Sequence, residues 1–332
     1  MISADATILA ALRAAPNHLA PADLAVRAGL SLSALAERMS ALRSAGFDLE
    51  NRPGLGWRLI AAPDKLMADD LWARLALAEG GLPGNHELVR EILVFAETGS
   101  TNETAAQRGR QGAEGGIVVL AERQSAGRGR FGRRWESSPG RGIWMSLLLR
   151  PRAPLELWPR LTTATAVAIS AAIERAVGVR TAIKWPNDIQ IEGKKVAGIL
   201  IETGTDDRQR RFAVIGIGLN VQHEKPDFPP ELRELATSLR LATGSPVERS
   251  AVVVAVLQEL ARRLPEIDRG FDGILAETSR RSTLLGQWVR VQMGGVQREG
   301  LAESLDGDGR LLLREAGGNL IPLSAGEASL RG

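Results

Sequence analysis

The 332-residue sequence contains no cysteine, so disulfides and thiolate chemistry are excluded, and a zinc site would need histidine and carboxylates alone. Histidine is nearly absent as well. His18, His86 and His223 stand in three separate regions, which speaks against a multi-histidine metal site. No apolar run approaches the ~20 residues of a membrane-spanning helix. The N-terminus carries Asp5 rather than a basic segment before an apolar core, so a cytoplasmic protein with no membrane partner is expected. The formal net charge is only +3, so the field of the whole chain does not announce a nucleic-acid binder. Lysine is scarce: five stand against 37 arginines in a Lys+Arg total of 42, and three of the five (Lys184, Lys194, Lys195) lie within twelve positions. Where arginine otherwise supplies positive charge, a retained lysine points to a need for a compact point charge. Also missing are the Gly-x-x-x-x-Gly-Lys-Ser/Thr loop of P-loop NTPases, a Gly-x-Gly-x-x-Gly after a strand, and any evident Ser/His or Cys/His nucleophile pair.

What is present concentrates in one stretch, Arg123 to Trp135, with five arginines and three glycines in thirteen residues. Such a mixture costs backbone entropy and like-charge repulsion without adding to a core. Glycines let backbone N–H groups approach a phosphate, and arginines supply permanently charged forks for phosphate or carboxylate oxygens. A solvated basic loop is the bland alternative. The stretch connects two apolar segments that read as core strands, 116–121 and 142–149, and loops so placed more often carry function.

Along the chain, residues 1–62 read as a winged helix-turn-helix. Ile8, Leu9 and Leu12, then Leu24, Ala25 and Ala28, then Leu35, Met39 and Leu42 have helical spacing, with Ser31 or Ser33 capping the third helix. Residues 47–50 and 57–60 form the wing around Pro53-Gly54. Ser33, Arg38 and Arg43 on the third helix and Arg52 and Arg58 on the wing are the candidate DNA contacts, a modest basic inventory that favours two copies on two half-sites. A module with no DNA-binding role is the alternative. Residues 63–284 form an α+β domain with a mixed sheet, and residues 285–332, where short strands alternate with glycine turns, suggest a small β-barrel. Within the middle domain Ser100 and Glu103 have the spacing of a capping box, and 179–183 reads as a strand entering Lys184-Trp185-Pro186-Asn187-Asp188.

The pieces suit activation of a carboxylate by a nucleotide. Arginine and lysine would offset charge on the α-phosphate, Asp188 would help hold Mg²⁺, and Ser100-Thr101-Asn102 would meet a polar ligand head without any covalent enzyme intermediate.

Four motifs in order carry a resemblance: Ser100-Thr101-Asn102; Gly127-Arg128-Gly129-Arg130-Phe131-Gly132-Arg133-x-Trp135; Lys184-Trp185-Pro186-Asn187-Asp188; and Lys195-Val196-Ala197-Gly198-Ile199-Leu200-Ile201-Glu202. The set resembles that of the biotin protein ligases. With the N-terminal helix-turn-helix, and down to Gly326-Glu327-x-Ser329-Leu330-Arg331, the chain is similar to the bifunctional group, the biotin operon repressors. The resemblance implies a class II synthetase-like ligase domain, a C-terminal SH3-like barrel, and two half-reactions. Biotin and ATP give biotinyl-5′-adenylate, and a lysine of a biotin carboxyl carrier protein domain then takes the biotin. It further implies operator DNA as a partner and a homodimer when the adenylate is bound. Carried over, Ser100, Thr101, Asn102 and Gln124 would meet the ureido head, with Arg128, Gly129, Arg130, Lys195 and Gly198 along biotin. Arg128, Arg130, Trp135, Lys184, Asn187 and Asn220 would meet the ATP or adenylate moiety, and Arg130, Lys184, Asp188 and Lys195 would carry the chemistry, Asp188 either beside Mg²⁺ or orienting a lysine. Lipoate ligation on a related fold is the alternative. The segment after Asn220, with Phe228 among prolines, does not reveal how adenine would be covered.

Overall fold

The computed structural model describes residues 2–78 and 88–330; His86 and Arg331 lie outside them. The chain divides into two compact units, Met1–Gly84 with Glu248–Val254, and Asn85–Val247 with Ala255–Gly332.

In the first unit, helices α1 (Ala4–Ala14), α2 (Pro21–Ala28) and α3 (Leu32–Ser44) precede a hairpin of β1 (Asp48–Arg52) and β2 (Gly56–Ala61), followed by α4 (Ala68–Leu77). Ser31 caps α3 by accepting from the Ala34 N–H, and α2 ends on Gly29 in the left-handed region. Ile8, Leu9, Leu24, Leu35 and Met39 are completely buried together, which is what their 3.6-residue spacing demanded.

The second unit is organised by a seven-stranded sheet in the order β3-β4-β5-β9-β8-β7-β6. Its strands are β3 (Glu91–Thr98), β4 (Ile117–Gln124), β5 (Gly142–Leu149), β6 (Ala182–Lys184), β7 (Asp188–Ile191), β8 (Lys194–Thr205) and β9 (Arg211–Asn220). Only β3 and β4 are parallel, joined through helix α5 (Thr101–Arg110); every other pairing is antiparallel. The sheet is therefore mixed, as expected. Helix α6 (Arg160–Val177), ended by Gly178, is buried over most of its length, and α7 (Leu239–Thr243), the part of α8 (Arg249–Arg263) from Ala255 on, and α9 (Phe271–Arg281) follow. The strand expected at 179–183 is shorter: residues 179–181 are connection, with the Thr181 N–H turned to the Glu174 carboxylate, and β6 starts at Ala182.

Strands β10 (Trp288–Met293), β11 (Val296–Leu305), β12 (Leu311–Arg314), β13 (Leu320–Leu323) and β14 (Glu327–Leu330) make an antiparallel sheet in the order β13-β12-β11-β10-β14. Its core of Val289, Val291, Leu311 and Leu313 also takes in Trp185, whose indole N–H donates to the Gly309 carbonyl at 3.1 Å. That packing fixes the Lys184–Asp188 turn, which contains a cis Trp185–Pro186 peptide, against the C-terminal strands.

Candidate active site

The ligand-facing groups project from the central strands β4, β5, β8 and β9 and from the start of α5. At the α5 N-terminus, the Thr101 N–H and hydroxyl both donate to Gln124 Oε1, at 2.8 and 3.0 Å. Gln124 Nε2 reaches Ser137 Oγ at 3.2 Å. The hydroxyl of Ser146, wholly buried on β5, lies 2.7 Å from Thr101 Oγ1 and 2.6 Å from Asn102 Oδ1. Asn102 Nδ2 donates to Glu202 Oε2 at 2.7 Å and to the Leu200 carbonyl at 3.3 Å. The result is a small hydrogen-bonding chamber lined by the uncharged set Ser100, Thr101, Asn102 and Gln124 together with Arg128, Arg130 and Lys195. The capping box expected of Ser100 and Glu103 does not form. Gln124 takes the first N–H of the helix, the Ser100 side chain caps nothing, and Glu103 pairs with Arg110 and Arg128.

The floor is glycine by necessity. A Cβ on Gly216 would overlap Asn102 Oδ1, one on Gly218 would stand 2.5 Å from the Trp135 ring, and one on Gly198 2.8 Å from it. Trp135 thus lies flat against β8 and β9, edge-on to Trp144 at 6.3 Å, with Lys195 Nζ 5.2 Å from the ring centroid. Its indole N–H is buried without a partner.

The Arg/Gly stretch is a hydrogen-bonded hairpin rather than a featureless loop. Ser125 and Ala126 donate to the carbonyls of Thr98 and Gly99, Gly129 donates to Arg133, and Trp135 donates to Gly127. Arg128 faces Glu103 at 3.3 Å and Glu202 at 3.6 Å. The half-buried Arg130 donates to Asn187 Oδ1 at 2.8 Å and to the Gly326 carbonyl at 3.3 Å, and Arg133 forms a two-bond pair with Glu327. Arg133, with Lys184 and Lys195 nearby, holds the Glu327 carboxyl below its ordinary range.

Beyond Trp135 lies a larger cavity of about 430 Å³, lined by Lys184, Asn187, Asp188, Lys195, Asn220 and Phe228 among others. Lys195 Nζ stands 2.7 Å from Asp188 Oδ1. Its backbone is gripped on both sides: the N–H donates to the Leu235 carbonyl at 2.8 Å and the carbonyl accepts from Thr237 at 2.9 Å. Asn187 Nδ2 donates to the Ile199 carbonyl, and Asn220 Nδ2 to the Thr237 carbonyl. His223 stacks on Phe228 at 4.9 Å and meets the edge of Trp144; burial pushes its imidazole down to about 4. Among the described residues no three His, Asp or Glu side chains converge as a metal cage. Asp188 alone would suit a Mg²⁺ that arrives on nucleotide phosphates, which keeps several ligands outside the protein.

All ligand-directed residues expected from the sequence therefore line one chamber and its adjoining cavity. Ser146, Glu202, Glu327 and His223 received no role beforehand. A lone serine inside the apolar run Ile143–Leu149 was the available signal for the first. The five candidate DNA contacts lie in the first unit. Arg38 is paired with Asp5, Arg43 donates to the Leu49 carbonyl at 2.6 Å under the Trp57 ring, Arg52 and Arg58 both face Glu50, and Ser33 Oγ meets Ser31 Oγ.

An uncharged polar set beside clustered arginine and lysine side chains suits a small polar acid and a nucleotide, and residues 94–220 match the Biotin/lipoate A/B protein ligase family. Residues 284–331 match the biotin protein ligase C-terminal domain. The chain is 37% identical over 286 residues to the bifunctional ligase/repressor BirA of Bacillus spizizenii, covering 86% of each chain. It is 34% identical over 244 residues to a biotin–[acetyl-CoA-carboxylase] ligase of Mycobacterium tuberculosis, covering 72% of this chain and 88% of that one. Among solved structures, the Aquifex aeolicus biotin protein ligase in complex with biotin and ATP is similar at TM-score 0.64 and 29% identity, over 73% of this chain and 99% of that one. The chain belongs to the biotin protein ligase family and is an enzyme of that kind.

Proposed function

We propose that the chain joins biotin to AMP and passes it to a lysine of a biotin carboxyl carrier protein domain. The observation that carries this reading is that the chamber holding the uncharged Ser100, Asn102 and Gln124 adjoins the cavity holding Lys184, the two sharing Arg130 and Lys195 in their linings. A ureido ring is uncharged and needs donors and acceptors, and the chamber supplies both. The valeryl chain would run beside Trp135, with Arg128 and Gly129 along it. A biotin carboxylate oxygen attacks the α-phosphorus of ATP, the bond to the β-phosphate bridging oxygen breaks, and pyrophosphate leaves. Lys184, Lys195 and Arg130 offset the negative charge that gathers on the α-phosphate. Asp188 orients Lys195. Mg²⁺, brought with the triphosphate, would neutralise phosphate charge beside Asp188. In the second step a carrier lysine amine attacks the acyl carbonyl, the acyl–phosphate bond breaks, AMP leaves, and the ammonium proton passes to solvent. Asn220 and Asn187 border the nucleotide side, and Trp135 offers a face to stack on the base.

Incubation of the purified chain with labelled biotin, MgATP and a carrier domain tests this. Labelled carrier and pyrophosphate are the expected products; labelling with lipoate instead would favour the lipoate reading.

A second reading concerns the first unit, residues 1–62. Its helices and hairpin support a winged helix-turn-helix, and the name of the Bacillus relative, a bifunctional ligase/repressor, supports a repressor; we propose that it responds to biotin and binds operator DNA as a homodimer when the adenylate is bound. We further propose residues 63–284 as the class II synthetase-like catalytic domain and 285–332 as an SH3-like barrel, in a cytoplasmic protein. Among the described residues no helix is long and apolar enough to cross a membrane. An adenylate-dependent gel shift on the chain's own regulatory region at low salt is the test; no shift would leave a ligase with a module that does not bind DNA.

A further inference from the structure

We infer that Glu202 is a positioning residue that fixes which end of the Asn102 amide faces the ligand, so that the chamber demands an N–H donor in the ring it receives. The inference rests on the biotin reading above and adds a specificity determinant to it.

Asn102 is only 4% exposed, so its hydrogen bonds are made almost wholly within the protein. Its two donors go to the Glu202 carboxylate at 2.7 Å and the Leu200 carbonyl at 3.3 Å, and its Oδ1 lies 2.6 Å from the Ser146 hydroxyl. Those partners dictate the orientation. A reversed amide would set its carbonyl oxygen against a carboxylate and a second carbonyl, two repulsions in a buried place. Of the two acceptors, Glu202 carries a full charge and makes the shorter bond, so it dominates the choice. Arg128 lies 3.6 Å from the same oxygen, Glu202 Oε2, and helps keep that charge in place.

The orientation has a chemical consequence. Asn102 Oδ1 lies directly over Gly216, on the chamber floor, and after Ser146 it retains one lone pair. A ring bearing an N–H can donate to that lone pair. A ring of similar size without one, such as a dithiolane, leaves it desolvated and unmet, and sites built this way reject such analogues strongly. The Gln124 Oε1 acceptor cannot substitute, because both Thr101 donors already occupy it.

The experiment compares wild type, Glu202→Ala and Glu202→Gln in full-length protein, measuring kcat for biotinyl-adenylate formation and KM for biotin and for ATP. Each enzyme is also tested with ring-N-methylated biotin. Glu202→Ala should raise the biotin KM about ten-fold, the loss expected for one hydrogen bond to a charged group. Its kcat and ATP KM should stay within about two-fold of wild type, because the amide contributes to ground-state and transition-state binding alike. The penalty for N-methylation should shrink in the alanine variant, where the amide is free to turn. Glu202→Gln keeps an acceptor oxygen and should recover most of the loss. An unchanged biotin KM, an undiminished methylation penalty, or a joint fall in kcat and both KM-derived efficiencies without glutamine rescue would overturn the inference. Wild-type protein that ignores biotin would instead sink the reading beneath it.

Discussion

The guanidinium of Arg133 and the carboxylate of Glu327, far apart in sequence, meet in a two-bond pair at 2.8 and 2.5 Å. The pair ties the Arg/Gly hairpin to β14, and Arg130 adds a second tie through the Gly326 carbonyl. Both partners are about half exposed, so the ion pair contributes little to global stability, under about 1 kcal/mol. Its effect should be local. In Glu327→Ala, trypsin cleavage within Arg128–Arg134 should quicken several-fold in ligand-free protein, while the thermal midpoint stays within about 2 °C of wild type. Unchanged cleavage would mean that the ties at Thr98 and Gly99 hold the hairpin alone.

Asp188 and Lys195 form the charge pair nearest the proposed transfer. Asp188→Asn keeps the shape but removes the charge opposite Lys195 Nζ, 2.7 Å away. Pyrophosphate release should slow by about a hundred-fold, the size seen when one electrostatic stabiliser is lost, with a smaller change in biotin affinity. Parallel losses in rate and in biotin binding would assign the pair to binding rather than chemistry.

The glycine floor can be tested by size. Gly218→Ala places a methyl 2.5 Å from the Trp135 ring, in a strand that otherwise accepts alanine. Trp135 should be displaced, with an altered tryptophan emission and a fall of at least about ten-fold in biotin affinity by titration calorimetry. Wild-type affinity would show that the ring yields without cost.

His223 makes stability pH-dependent. Burial lowers its imidazole from 6.5 to about 4, so between those values the unfolded chain binds a proton that the folded chain refuses. Stability is therefore lost as pH falls from about 6.5 to about 4, by at most about 3 kcal/mol from this group. The urea midpoint of His223→Gln should decline less over that range than that of wild type. Parallel curves would place the acid sensitivity in carboxylates instead.

For the first unit, Arg38 and Arg43 are engaged by Asp5 and by the Leu49 carbonyl, which leaves few cations for phosphate. Operator binding, if measured from about 50 to 200 mM salt, should show a shallow dependence, with a log–log slope no steeper than about −5 for two copies. A slope near −10 would require arginines that leave these partners.

The chemistry was more legible in the sequence than its support. Positions such as Ser100, Arg128 and Lys195 announce themselves because no core-packing argument asks for those residue types there. The central strands and α6 were also readable, because apolar runs bounded by glycine leave few alternatives. Helix α9 was not, since it begins at Gly270 with no capping side chain and carries Gly273 inside. Ser146 and Glu202 were hidden for another reason: each acts through Asn102, and only the pairing of β5, β9 and β8 brings them to it. The Arg/Gly stretch looked self-repelling, yet Glu103, Glu202 and Glu327 come from distant positions to balance it.

Gly216 and Gly218 sit on β9, hydrogen-bonded between β5 and β8 in the middle of the seven-stranded sheet. Their amides cannot exchange with solvent unless neighbouring ladders part, so the bottom of the chamber should melt only when the whole unit does. Substrate entry and departure then fall to the two segments flanking the sheet, 125–141 and 221–238, and a chain redesigned to accept a bulkier acid would have to be altered there rather than underneath.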